Sequence, residues 1–130
     1  MIQLFEIGAK KTFTKIVQTN ETATFESGEV HPFYATFALG KDAEWVCRLF
    51  VLEMKEPHEE GIGTFLNITH LSPALVNNQV VFEATLEEIN GNEVICSFTT
   101  KVGDRLVASG KTGQKILKKE KLERLIEQVS

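Results

Sequence analysis

Three polar side chains stand where they can converge: Thr36 just ahead of a helix, Glu44 in its early turns, and His70 at the end of a strand. A hydroxyl, a carboxylate and an imidazole are components of general acid–base and nucleophilic catalysis at a carbonyl. Each also has a plainer reading. Thr36 suits a helix cap, Glu44 an exposed helix glutamate and His70 a hydrogen-bonded core histidine. The helix start adds a further element, because its free backbone N–H groups, expected around Leu39 and Gly40, suit the oxyanion that develops when an acyl carbon is attacked.

The elements that must hold these residues follow from periodicity. Ala43, Val46, Cys47, Phe50, Val51 and Met54 form one apolar stripe of a helix expected from about Ala38 to Met54, with Pro57 beyond its end. Trp45, Leu49 and Leu52 lie on the other side, so the helix is expected to be central and wrapped by protein. Glu44 lies about 100° around from Ala43, at the border of the stripe. His70 ends a strand, Ile62 to Leu71, and shares the alternation of Ile62, Leu66 and Ile68, which predicts an inward side chain.

A β-branched run from Thr12 to Val17 reads as a strand, and the polar stretch Gln18 to His31 as a surface loop or lid. Val80, Phe82, Ala84 and Leu86 alternate with polar neighbours up to the hairpin signal Asn90-Gly91-Asn92. Val94, Cys96, Phe98 and Val102 mark the partner strand, Gly103-Asp104 a turn, and Arg105 to Leu117 a final strand. Lys119 to Val129 carries Leu122, Leu125, Ile126 and Val129 at helical spacing. The expected class is α+β: an antiparallel sheet wrapped around a long central helix, the hot-dog arrangement, with a short C-terminal helix, in a single domain over 1–130. So small a sheet leaves a long unpaired edge, which predicts a homodimer.

Composition narrows the partners. A net charge of -4 argues against a nucleic-acid binder, although 8 of the 14 basic residues lie from Lys101 onward and can form a local patch for an anionic small molecule. No signal peptide and no membrane-length apolar run is seen, so the expected location is cytoplasmic, with no membrane partner. Cys47 and Cys96 read as free, buried thiols. His58-Glu59-Glu60 lacks metal-ligand spacing and reads as a solvated turn, and His31 before Pro32 offers no better metal site.

Two segments carry a resemblance. Tyr34-Ala35-Thr36-Phe37-Ala38-Leu39-Gly40-Lys41-Asp42-Ala43-Glu44-Trp45-Val46-Cys47 resembles the active-site loop and helix of the fluoroacetyl-CoA thioesterase family, with the threonine and glutamate at the family's interval. Gly61-Ile62-Gly63-Thr64-Phe65-Leu66-Asn67-Ile68-Thr69-His70 resembles that family's Gly-Thr strand ending in Thr-His. The resemblance implies a dimeric acyl-CoA thioesterase without metal or cofactor, coenzyme A being part of the substrate. It implies Thr36, Glu44 and His70 as the catalytic set and a substrate-contacting backbone at Gly63. Phe33, Leu39 and Gly40 complete the expected substrate-binding residues. Glu44 is expected either to attack the thioester or to activate water. Gln114 stands where the fluoroacetyl enzyme carries an arginine, and Thr19 to Phe33 does not align with its lid, so the expectation is a short or medium acyl group. A hot-dog hydratase would need an Asp and His pair that is not found, and a non-catalytic binder of acyl groups is the alternative from another class.

Overall fold

A computed structural model describes residues 1–130. Strand β1 (Lys10–Ile16) leads through one 3-10 turn to a hairpin of β2 (Thr22–Phe25) and β3 (Gly28–Tyr34). Helix α1 (Thr36–Met54) follows, then β4 (Glu59–His70), β5 (Gln79–Asn90), β6 (Glu93–Val102), β7 (Arg105–Lys118) and α2 (Lys119–Val129). One antiparallel sheet has the order β1-β5-β6-β7-β4, and β2-β3 form a separate two-stranded sheet. Helix α1 touches all five strands of the large sheet.

Alternation builds the sheet's inner face. Val80, Phe82, Ala84 and Leu86 of β5 and Val94, Cys96 and Phe98 of β6 are buried, while their neighbours along each strand are not. They pack on Leu39, Val46, Phe50 and Met54 of α1 in one continuous hydrophobic cluster. Gly91 turns the β5–β6 hairpin with a φ of 64°, a left-handed conformation that costs glycine little. Cys47 and Cys96 are free and buried.

Three expectations change, and the terminal helix adds a feature that periodicity did not address. The stretch Gln18 to His31 is a hairpin rather than a loop, turned at Gly28 with a φ of 109°. Its strands are short, bulged and interrupted by Pro32, which erased the alternation. The second apolar side of α1 is only partly covered, with Trp45 and Leu52 exposed. Helix α2 buries none of its residues, so its apolar stripe lies open. Finally, β4 is not one uninterrupted alternation: Gly63 pairs with Gln114 and Phe65 with Gly113, leaving Thr64 as an extra residue. This bulge inverts the faces. Before it Gly61 and Gly63 face α1, and after it Leu66 and Ile68 do, so Ile62 points away from the helix.

Candidate active site

The start of α1 is fixed by backbone bonds. Tyr34 N–H donates to the Ala74 carbonyl at 2.9 Å, and Ala35 N–H to the Glu21 carbonyl at 2.8 Å. Ala35, in extended conformation and without a side-chain cap, holds the capping position. Thr36 is therefore the first helical residue, and its hydroxyl is released from capping. It bonds instead to His70, with Thr36 Oγ1 and His70 Nε2 2.9 Å apart.

His70 is on the helix side of the sheet, as its alternation implied, but is exposed there. It sits one pleat beyond Ile68, level with the first residue of α1, and lines a concavity under the β2–β3 hairpin. Its Nδ1 has no partner in the protomer. A histidine with a hydroxyl on one nitrogen and a free second nitrogen has two thirds of the arrangement in which a third group orients the base.

Leu39 and Gly40 are not the free donors. Leu39 N–H donates to the Ala35 carbonyl at 2.9 Å, and the helical pattern engages Gly40 N–H in the same way. The unengaged amides are those of Thr36, Phe37 and Ala38, one turn earlier, because the helix starts before Ala38. Gly40 has another use: a Cβ there would lie 3.1 Å from Leu66 Cδ2 and 3.2 Å from Ile68 Cδ1, so the missing side chain lets α1 settle onto β4.

Glu44 is half-buried beside Gly63, where a Cβ would stand 2.9 Å from Glu44 Oε1. Beneath it the buried Gln114 donates to the Glu44 carbonyl oxygen at 3.4 Å. Helix α1 runs antiparallel to β4, so Thr36 lies by His70 and Glu44 by Gly63. Eight residues of helix separate Thr36 from Glu44, about 12 Å along the axis. Thr36 and His70 thus meet within one protomer, whereas Glu44 stands apart from them.

Two concavities meet at Thr36. One, of about 490 Å³, lies between the β2–β3 hairpin, the start of α1 and the turn after β4, and is lined by Phe33, Thr36, Leu39 and His70 among others. The second, a groove of about 550 Å³, runs along the helix past Gly40 and Lys41 to Glu44.

Sequence reasoning passed over a buried polar network behind this junction. Tyr34 Oη donates to Asp42, and Lys15 pairs with Asp42 at 3.0 Å and with Glu21. Burial, then the bond to Asp42, pushes the Tyr34 phenol well above its ordinary value. Burial works against the Lys15 charge, but its bonds to Glu21 and Asp42 outweigh this and raise it. The clue was available, since Asp42 lies four residues from both Ala38 and Val46, on the core stripe. At the far end of α1, Glu56, His58 and Glu59 bring ligand atoms within 4.8 Å of one another, a cluster that spacing did not suggest. Glu56 and Glu59 there hold the Met1 ammonium at 2.9 and 2.7 Å.

The comparisons agree with this architecture. A family model described as fluoroacetyl-CoA-specific thioesterase matches residues 17–120. A Thermus thermophilus hypothetical protein of the thioesterase superfamily is 34% identical with a TM-score of 0.91, over 95% of this chain and 92% of that one. The fluoroacetyl-CoA thioesterase itself is 20% identical with a TM-score of 0.89, over 98% and 99%. A hot-dog-like protein from Thermanaerovibrio acidaminovorans is 20% identical with a TM-score of 0.87, over 96% and 93%. The fold is the hot-dog arrangement. Structures of the fluoroacetyl enzyme hold fluoroacetate with CoA, or acetyl-CoA. No curated protein matches. Neither helix is long and apolar enough to cross a membrane.

Proposed function

The chain belongs to the fluoroacetyl-CoA-specific thioesterase family, and from that premise we propose that it hydrolyses acyl-CoA thioesters to a free acid and CoA, as a homodimer whose site uses Thr36, His70 and Glu44. The observation that carries this reading is the 2.9 Å bond between Thr36 and His70 at the junction of an apolar cavity and a groove. The thioester carbonyl sits at that junction, near the unengaged amides of the helix start, which stabilise its oxyanion.

Dimerisation supplies the missing carboxylate. Strand β4 is an edge with Ile62, Phe65 and Leu66 exposed. Two such edges paired antiparallel about a twofold axis between Leu66 and Asn67 set Gly63, and the Glu44 beside it, opposite the partner's His70. Glu44 then serves the Thr36–His70 pair of the other protomer. In one route it takes a proton from water as the oxygen bonds to the acyl carbon. In the other it attacks directly and water cleaves the resulting anhydride. In both the C–S bond breaks and His70 delivers a proton to the departing thiolate, while Thr36 holds the imidazole and the carbonyl in place.

The reaction needs no metal and no cofactor, coenzyme A being part of the substrate. The proposed setting is the cytoplasm, with a small-molecule substrate rather than a nucleic acid or a membrane, in keeping with the net charge of -4.

The test is thiol release from a panel of acyl-CoAs. Glu44→Ala and His70→Ala are each expected to lose at least ~100-fold in kcat/KM. Mixing the two after subunit exchange is expected to restore about a quarter of wild-type activity, since half the dimers then hold one intact site. No recovery on exchange would place Glu44 and His70 of one protomer in the same site. A wild type that binds CoA esters and hydrolyses none would make the domain a binding module.

A further inference from the structure

The two spaces that meet at Thr36 differ in chemistry. The 490 Å³ cavity is floored by Leu39, Ala74 and Val107, all buried, and walled by Phe25, Phe33 and Phe37. Its polar side chains, Tyr34, Thr36, His70, His31 and Ser72, include no carboxylate, lysine or arginine. The groove on the other side of Thr36 carries Lys41 and Glu44. A charged cofactor arm belongs on the charged side, which leaves the apolar side for the acyl group.

Size and polarity then restrict that group. An apolar cavity of about 150 Å³ already holds a benzene ring, so a two-carbon acyl group would leave most of this one unfilled and would bury little surface. A second carboxylate on the acyl chain would lose its hydration with no lysine or arginine on the lining to pair with, Arg105 being held on Ser72 and the Pro73 carbonyl. Three phenylalanine side chains, 37% to 62% exposed, stand around the opening; Phe25 and Phe37 meet edge to face with centroids 6.5 Å apart, and His31 lies over Phe33 at 4.9 Å. Aromatic surfaces left in water at a cavity mouth gain most from an apolar occupant.

Resting on the thioesterase reading of the same site, we infer that the substrate's acyl group is uncharged and apolar, an alkyl chain or phenyl-bearing group of about six to ten carbons. It enters the cavity under the β2–β3 hairpin, with its carbonyl at Thr36.

The experiment measures kcat/KM for acetyl-, butyryl-, hexanoyl-, octanoyl-, phenylacetyl- and succinyl-CoA with the wild type, and calorimetric affinity for the same esters with His70→Ala. Burial predicts a rise of about fourfold for each methylene added between acetyl and octanoyl, ~0.8 kcal/mol per CH₂. Phenylacetyl-CoA is expected near hexanoyl-CoA, and succinyl-CoA at least ~10-fold below butyryl-CoA. Phe33→Ala is expected to lower the octanoyl-to-acetyl ratio about tenfold by removing one wall. A flat or falling profile, a preference for succinyl-CoA, or a ratio unchanged in Phe33→Ala overturns the inference while hydrolysis itself stands. If the wild type hydrolyses none of the esters, the affinity ladder in His70→Ala still decides the inference, and only the thioesterase reading is lost.

Discussion

The two edges of the large sheet are built in opposite ways. At one edge β1 places three lysines among its seven residues, KKTFTKI, and each is paired with acids: Lys10 with Glu83, Lys11 with Glu53, Lys15 with Glu21 and Asp42. At the other, β4 is 12 residues long and carries no charge from Gly61 to Thr69, and Ile62, Phe65 and Leu66 are exposed along it. Lysines and a short span are the usual means of keeping an edge from pairing with another chain. The bare edge is also the one that bears Gly63 and His70, so the place best suited to receive a second copy is the place where one protomer leaves its polar set incomplete. The guarded edge ties β1 and the turn before the hairpin to α1 through Asp42.

That contrast breaks most readily at its apolar end. Phe65→Lys puts a charge on the bare edge and is expected to turn the proposed dimer into monomers by sedimentation velocity and to lower thioesterase activity at least ~100-fold, whereas Thr12→Lys on β1 leaves both unchanged. Dissociation by the β1 change alone would reverse the assignment of the two edges.

On the guarded side, Asp42→Ala strands the Lys15 ammonium and the Tyr34 hydroxyl, and about 2 kcal/mol of stability is expected to be lost in urea unfolding without a change of assembly. A smaller change sharpens the bare side. Gly63→Ala introduces a Cβ 2.9 Å from Glu44 Oε1, and the displaced carboxylate is expected to cost about tenfold in kcat/KM with little change in Tm.

The smallest effect is a pH dependence at the start of β4. The Arg48 bond, helped by Gly61 N–H, holds the Glu60 carboxyl below its ordinary value of 4.5. A depressed carboxylate adds stability that is fully present above the unfolded-state value and is lost as pH falls through the folded one. Melting temperature is therefore expected to fall from about pH 5 to about pH 3, and less steeply in Arg48→Met. An identical slope in that variant would remove Arg48 from the account.

Legibility in the sequence varied with the range of the cause. The stripe from Ala43 to Met54, the alternation of β5 and β6 and the turn at Gly91 are local patterns, and each appears as an element in the expected place. The hairpin Thr22–Tyr34 was hidden because its bulges and Pro32 break the period that identifies a strand. His70 faces the helix side as its alternation with Leu66 and Ile68 implied, the Thr64 bulge displacing only Ile62 from that face. Its exposure was not legible, because sequence does not show how far neighbouring elements cover a strand end. Asp42 was legible by position on the core stripe, but its partners come from Lys15 on β1 and Tyr34 on β3, and pairing over such separations leaves no local mark.

The sequence by itself determined the class of elements, the central helix and the family motifs that nominate Thr36, Glu44 and His70, because hydrophobic period and motif spacing are carried within one segment. Only the tertiary structure decided that the Thr36 hydroxyl meets His70, that Leu39 N–H is spent inside the helix, and that Glu44 lies away from both. Those outcomes depend on where α1 begins, on one extra residue in β4 and on which sheet edge is left open. Each is set by backbone bonds between segments far apart in the chain.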